Sequence, residues 1–188
     1  MTETRHGGWL LFNPVSIVHY RNIRLFEERL KGWKIRCILN PRFSWFSDGK
    51  NKIAYDHLYF KNDRVTEEAF EGVKAVVVFS AQPRLPSCPL IQEAALRSIP
   101  VVAGEEVFQL MLDQGYVNNY YLPVDHLFVG SEYERDGFLG FGVNPAVVET
   151  TGCMFSYNTP RPPHERENLT EKLGLPKDKR IAALSLGY

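Results

Sequence analysis

Apolar residues alternate along the chain between two patterns. Short continuous runs rich in β-branched residues predict buried strands, and apolar residues at every third or fourth position predict helices. The predicted strands lie in Trp9–Val18, Trp33–Leu39, Ile53–Phe60, Ala75–Phe79, Ile99–Ala103, Leu127–Val129 and Ala146–Thr150. The predicted helices are Tyr20–Leu30, Val65–Glu71, Leu90–Ser98, Glu106–Gln114, Tyr133–Gly140 and Asn168–Leu173. This alternation predicts an α/β fold, a Rossmann-like open parallel sheet with helices on both faces.

The composition changes after Gly152, and this change predicts the domain organisation. We expect residues 1–152 to form the Rossmann-like domain, residues 153–168 to form a proline-rich linker and residues 169–188 to begin a second, truncated α/β domain. An alternative stays open, in which Arg180–Leu186 is an edge strand of the first sheet. On the first interpretation, the chain is the front part of a longer protein.

Composition and charge exclude several classes of protein. The charges of the 22 basic and 22 acidic residues cancel, so the formal net charge is zero. A surface that binds nucleic acid needs an excess of positive charge, and we therefore expect no nucleic-acid partner.

The sequence has no apolar run of about 18 residues that would cross a bilayer, and its N-terminus lacks the apolar core of a secretory signal. Three scattered cysteines form neither a disulfide framework nor a metal site. No GxGxxG motif follows the first strand. We therefore expect a cytoplasmic protein without a metal or a cofactor.

Two residues that follow predicted strands are candidates for catalysis. His19 lies where the first strand gives way to the first helix, and a neutral imidazole suits a base beside an acceptor hydroxyl. Glu105 comes shortly after the strand Ile99–Ala103, where a carboxylate suits the same task. Each has a structural alternative at a helix start, where an acidic side chain also complements the macrodipole.

Polar residues of the same loops are candidates for substrate binding, because ligands of open parallel sheets bind beyond the carboxyl ends of the strands. These candidates are Asn13, Ser16, Ser80, Gln82, Arg84, Glu106 and Ser131. The guanidinium of Arg84 is suited to hold an anionic acceptor through a bidentate fork. Ser16 is equally a candidate helix N-cap, and Ser131 with Glu134 has the pattern of a capping box. The other loop residues have the alternative of ordinary exposed polar positions.

Three segments, taken in order, resemble the GT-B glycosyltransferase superfamily. They are Ile99-Pro-Val-Val, Asp125-His-Leu-Phe-Val-Gly-Ser with an arginine-bearing helix after it, and Gly142-Val-Asn-Pro-Ala-Val-Val-Glu-Thr-Thr-Gly. The tail that begins Leu169-Thr-Glu-Lys-Leu-Gly-Leu-Pro resembles the start of the second domain in that superfamily. The most similar families are the capsule and teichoic-acid glycerophosphotransferases and the UDP-N-acetylglucosamine 2-epimerases.

The resemblance implies two Rossmann-like domains with a cleft between them. The front domain of such enzymes usually binds the acceptor, and the rear domain binds the nucleotide of the donor. The implied activity is the transfer of a sugar or a glycerol phosphate from a nucleotide-activated donor to a polysaccharide or lipid-linked acceptor. A lipid-linked acceptor would bring the protein to a membrane surface. This chain would then hold the acceptor half and be inactive alone, because catalysis needs both reactants in position.

Two other functions stay open at this point. An epimerase is favoured by Glu105, which falls on the glutamate of the epimerase segment His-Val-Glu-Ala-Gly, although Ala103 occupies the histidine position. The His-Gly pair of the glycerophosphotransferases is absent after the same strand. The second alternative is a non-enzymatic module that binds a sugar or a nucleotide.

Overall fold

A computed structural model describes residues 7–42, 52–80, 87–104, 123–152, 171–172 and 174. The chain divides into two compact units, Met1–Phe155 and Ser156–Tyr188. In the second unit, Glu171 and Lys172 are helical and Gly174 has a positive φ of 62°. The elements that follow belong to the first unit.

Seven described strands form one parallel sheet, which confirms the predicted fold class. The strands are β1 (Trp9–Asn13), β2 (Lys34–Leu39), β3 (Asp56–Tyr59), β4 (Val73–Val78), β5 (Val101–Gly104), β6 (His126–Val129) and β7 (Val148–Thr150). The helices are α1 (Ile17–Arg29), α2 (Cys88–Leu96) and α3 (Glu132–Gly140), with a 3-10 helix at Glu67–Phe70. The strand order is β3-β2-β1-β4-β5-β6-β7, and every neighbouring pair is parallel.

Both faces of the sheet carry an apolar core, as expected for continuous apolar strands. Along β1, Leu11 belongs to one core, whereas Leu10 and Phe12 belong to the core on the opposite face. The ring of Phe12 meets that of Phe26 on α1 edge to face, with 5.2 Å between centroids. Alternation along the strands therefore fixes which face each helix covers.

Several element boundaries differ from the prediction. The first strand ends at Asn13 because Pro14 has no N–H for the sheet. The segment Val65–Glu71 forms a 3-10 helix instead of an α-helix. The helix predicted over Leu90–Ser98 begins earlier, at Cys88, because a proline is tolerated in the first turn. The predicted helix Glu106–Gln114 lies outside the described residues.

Among the described residues, no helix combines the length and the apolar character required to span a bilayer.

Cys37 gives the fold an alkaline pH dependence. Its burial in β2, with the charge of Asp56 nearby, raises the pKa of the thiol from 9.0 to about 12. Between these values the unfolded chain releases the proton and the native chain keeps it, so the free energy of unfolding falls as pH rises. We expect Cys37→Ala to flatten this decline in urea unfolding measured from about pH 8 to about pH 10.

The matched control for this experiment is Cys88→Ala. Burial also raises the pKa of the Cys88 thiol, but Cys88 is only partly buried, so its removal should change the slope less. Equal slopes for the wild type and Cys37→Ala would contradict the prediction.

Candidate functional site

The strand order changes direction between β1 and β4, and this point locates the candidate site. From β1 the chain adds β2 and β3 on one side, and it then returns to add β4 to β7 on the other. In folds of this class the connections that leave the two central strands run to opposite faces of the sheet, and ligands bind in the crevice beyond the carboxyl ends of those strands. Asn13 at the end of β1 is in register with Val78 at the end of β4. We call the surroundings of Asn13, Ser16, His19, Phe79 and Ser80 the switch-point crevice.

Asn13 brings an unsatisfied acceptor to this crevice. Its side-chain Nδ2 donates to the carbonyl oxygen of Ile38, at 2.9 Å, and this bond orients the amide. The residue is only 1% exposed, and Oδ1 has no hydrogen-bond partner among the described residues. A buried acceptor left without a donor costs about 1–3 kcal/mol. A bound group with a hydroxyl or an N–H would recover that cost.

His19 lies in the first turn of α1 and is buried against β4. Its ring stacks on Phe79, with 4.4 Å between centroids and 21° between the planes. The backbone N–H of Val15 donates to Nδ1 at 3.3 Å. The backbone N–H of His19 itself donates to Oγ of Ser16 at 3.2 Å. Ser16 is therefore the N-cap of α1, the alternative that the sequence left open, and its predicted contact with substrate stays a prediction.

Ser80 follows Phe79 beyond the end of β4 and is bonded to the start of the next helix. Its carbonyl oxygen accepts a hydrogen bond from Oγ of Ser87 at 2.9 Å, and both residues are buried. The bond joins the end of β4 to the start of α2. The candidates Gln82, Arg84, Glu105 and Glu106 lie outside the described residues.

Ser131 lies away from the crevice. It follows β6, three strand spacings from β1, which is roughly 14 Å. Its Oγ accepts from the backbone N–H of Glu134 at 3.2 Å, and Oε2 of Glu134 accepts from the N–H of Gly130 at 2.5 Å. The sequence predicted this capping box, although the carboxylate reaches Gly130 instead of Ser131. The substrate-binding role of Ser131 stays a prediction.

Two features of the strand ends are not predicted by the sequence. Phe79 was assigned only to a buried strand, whereas it supplies the surface on which His19 stacks. Thr150, at the end of β7, has a buried Oγ1 without a hydrogen-bond partner among the described residues. No local signal predicts either feature, because both depend on side chains from other parts of the chain.

Comparison with known proteins supports the fold and leaves the family open. No protein-family model matches the chain. No curated protein matches it either. Among solved structures, the chain is similar to UDP-N-acetylglucosamine 2-epimerase from Rickettsia bellii, with 14% identity and a TM-score of 0.51. The match covers 91% of this chain and 52% of the other, so this chain spans about half the length of that protein.

The fold and the site together define a class of protein. The chain has a Rossmann-like α/β fold, similar to that of a protein with the GT-B-like architecture. Its candidate site lies at the switch point of the sheet, where this class of fold binds ligands. The likeness agrees with the fold that the resemblance in the sequence implies.

Proposed function

We propose that this chain is part of a sugar-nucleotide enzyme of GT-B architecture and that the switch-point crevice binds one of its reactants. The observation that carries the proposal is the buried, unpartnered Oδ1 of Asn13 at the switch point. Sugars present many hydroxyl donors, and one such donor would satisfy this acceptor. The fold likeness to an enzyme named for a nucleotide sugar supports the same ligand class.

The proposed reaction is group transfer. A sugar or a glycerol phosphate moves from a nucleotide-activated donor to a hydroxyl of a polysaccharide or lipid-linked acceptor. The hydroxyl must lose its proton as the new bond forms, so the enzyme needs a base. Glu105 follows β5 directly, and β5 ends two strand spacings from β1, roughly 10 Å away. We assign the base to this carboxylate, with Glu106 beside it as a ligand for sugar hydroxyls.

Binding by the 188-residue chain tests the ligand class. Titration calorimetry with UDP, UDP-N-acetylglucosamine, N-acetylglucosamine and glycerol 3-phosphate would identify the tightest of these ligands. Asn13→Leu keeps the side-chain size but removes both the unpartnered acceptor and the donor to Ile38. We expect it to weaken the binding of that ligand about tenfold or more. Absence of binding to all four probes would contradict the proposal.

Thr150→Val is the matched control for Asn13→Leu. Thr150 also ends a strand with an unpartnered buried oxygen, but β7 lies four strand spacings from β1, roughly 19 Å. Its replacement should leave the affinity within about twofold of the wild type. Similar losses in both variants would mean that Asn13 acts on the fold and not on the ligand.

An epimerase is the second candidate, because the similar solved structure is named as one. Incubation of the whole enzyme, of which this chain is proposed to be a part, with UDP-N-acetylglucosamine alone distinguishes the two reactions. An epimerase converts this single substrate to a product inverted at C2, whereas a transferase needs an acceptor. NMR detection of the C2-inverted sugar without an added acceptor would favour the epimerase and contradict the transferase.

A further inference from the structure

We propose that Asn13 is a specificity-determining residue of the switch-point crevice, whose amide accepts one sugar hydroxyl and rejects a phosphate oxygen at the same position. The proposal rests on the proposed function for the class of its ligand and on the hydrogen bonding of Asn13 for its selectivity. It goes beyond the proposed function because it names the part of the ligand that lies at the end of β1, an uncharged part that bears a hydroxyl.

One hydrogen bond fixes the orientation of the Asn13 amide. Its Nδ2 donates to the carbonyl oxygen of Ile38 at 2.9 Å, and this bond is buried. A flipped amide would bring Oδ1 against the same carbonyl oxygen, so that two acceptors would face each other without a hydrogen between them. Such a contact is especially unfavourable away from water. Nδ2 is therefore committed to the fold, and Oδ1 is the end of the amide that has no partner among the described residues.

The same bond turns the amide oxygen away from β2. Asn13 ends β1, which lies between β2 and β4 in the sheet. Ile38 belongs to β2, so the amide nitrogen is turned to that strand, and the oxygen lies on the other side of the planar group. On the β4 side, Asn13 is in register with Val78, the last residue of that strand. Oδ1 is thus the atom of Asn13 that remains for a ligand at the switch point.

An amide oxygen in this position selects a hydroxyl. It accepts hydrogen bonds and cannot donate one, so a phosphate oxygen without a proton gains nothing from it and is repelled. Asn13 is only 1% exposed, so a small terminal group reaches its oxygen more easily than an N–H set within a planar ring or amide. A hydroxyl is such a group, and its hydrogen rotates to meet the acceptor. The carboxylates of Glu105 and Glu106, which the sequence places after β5, are acceptors too and favour the same kind of ligand.

Sugars in which fluorine replaces one hydroxyl at a time test this selectivity, because fluorine is small but cannot donate a hydrogen bond. The probes are N-acetylglucosamine and its singly fluorinated derivatives, titrated calorimetrically into the 188-residue chain. We expect one derivative to bind about tenfold or more weakly than the parent sugar, because it leaves the buried acceptor unpaired. The other derivatives should bind within about threefold of the parent. A sugar that carries a phosphate in place of the same hydroxyl should bind more weakly still.

The substitution Asn13→Leu assigns the selectivity to its residue. In this variant the parent sugar and the sensitive derivative should bind within about twofold of each other, because the coupling between the hydroxyl and Oδ1 is gone. Thr150→Val is again the matched control and should keep the full difference between the two sugars. The measurements on the wild type involve no substitution, so they decide the proposal even if Asn13→Leu does not fold.

Four results would overturn the proposal. Equal binding of all the fluorinated sugars would mean that water or an N–H satisfies Asn13 instead of a hydroxyl. A difference that persists in Asn13→Leu would assign the hydroxyl to another residue. A phosphorylated sugar that binds as tightly as the parent would remove the selectivity against phosphate. Binding of UDP or glycerol 3-phosphate without any binding of N-acetylglucosamine would leave the proposed function standing and defeat this inference alone. If the wild type binds none of the probes, the proposed function fails together with it.

Discussion

Phe138→Ala is expected to lower the free energy of unfolding by about 3–5 kcal/mol, the usual cost of emptying a buried aromatic position. Phe138 is the one buried residue of α3, and its side chain is fully enclosed in the core on one face of the sheet. Its removal leaves a cavity and also removes the main apolar contact that holds α3 against β6 and β7. Urea unfolding of the 188-residue chain, followed by circular dichroism, measures the change.

Tyr133→Ala is the control on the same helix. Tyr133 is also aromatic and lies in the first turn of α3, but 61% of its surface is exposed. We expect its removal to change the free energy of unfolding by less than about 0.5 kcal/mol. A comparable loss in both variants would show that α3 depends on its helical propensity and not on the burial of Phe138.

Arg36→Met is expected to destabilise the fold by about 2–3 kcal/mol, because it removes a cation that joins three parts of the chain. From β2, Nε donates to Oδ2 of Asp56 on β3 at 2.7 Å. Nη1 donates to the carbonyl oxygens of Glu68, at 3.1 Å, and Glu71, at 3.3 Å, near the end of the 3-10 helix. The guanidinium also lies over the ring of Trp9, 4.5 Å from its centroid.

We expect Arg36→Met to lower the free energy of unfolding by less than the loss of one partner from a fully buried ion pair would. Asp56 is half exposed, so water can partly replace the lost guanidinium. Lysine at position 36 should recover less than half of the loss, since an ammonium group cannot form the same fork of hydrogen bonds. Thermal and urea unfolding of Arg36→Met and Arg36→Lys measure both effects.

Arg42→Met is the matched control for Arg36→Met. Arg42 pairs with Asp63 at 2.6 Å, but the two side chains are 75% and 53% exposed. An exposed pair of this kind contributes about 0–1 kcal/mol, so the substitution should have little effect. If Arg42→Met costs as much as Arg36→Met, burial is not what makes the Arg36 contacts strong.

The alternation of strands and helices was predictable because it depends on local patterns. The β-branched run of β4 predicts a strand buried on both faces, and the structure has one at Val73–Val78. The edge strand β3 was harder to delimit, since its residues are half exposed and carry no clear apolar run. The capping box at α3 was visible because serine and glutamate are its usual residues. The same pattern at α1 escaped notice, because histidine is not a usual member of a capping box.

The candidate site was predictable only in part. The sequence placed His19 and Ser80 after predicted strands and Asn13 within the first of them, and in the structure all three lie at or beyond the carboxyl ends of β1 and β4. The orientation of the Asn13 amide depends on Ile38, which lies 25 positions further along the chain. The stacking of His19 depends likewise on Phe79. The periodic pattern of a short stretch of sequence cannot reveal contacts between residues that are so far apart in the chain.

For the part of the chain that the structure describes, the sequence by itself determined which segments are strands and helices, which loops carry polar groups and that the sheet is covered on both faces. These properties follow from the spacing of apolar residues, which can be determined for each segment without knowing the rest of the chain. Only the tertiary structure decided the order of the strands, and with it the switch point between β1 and β4. Strand order is a matter of hydrogen bonds between distant segments, and the apolar pattern of a strand is the same whichever neighbours it has.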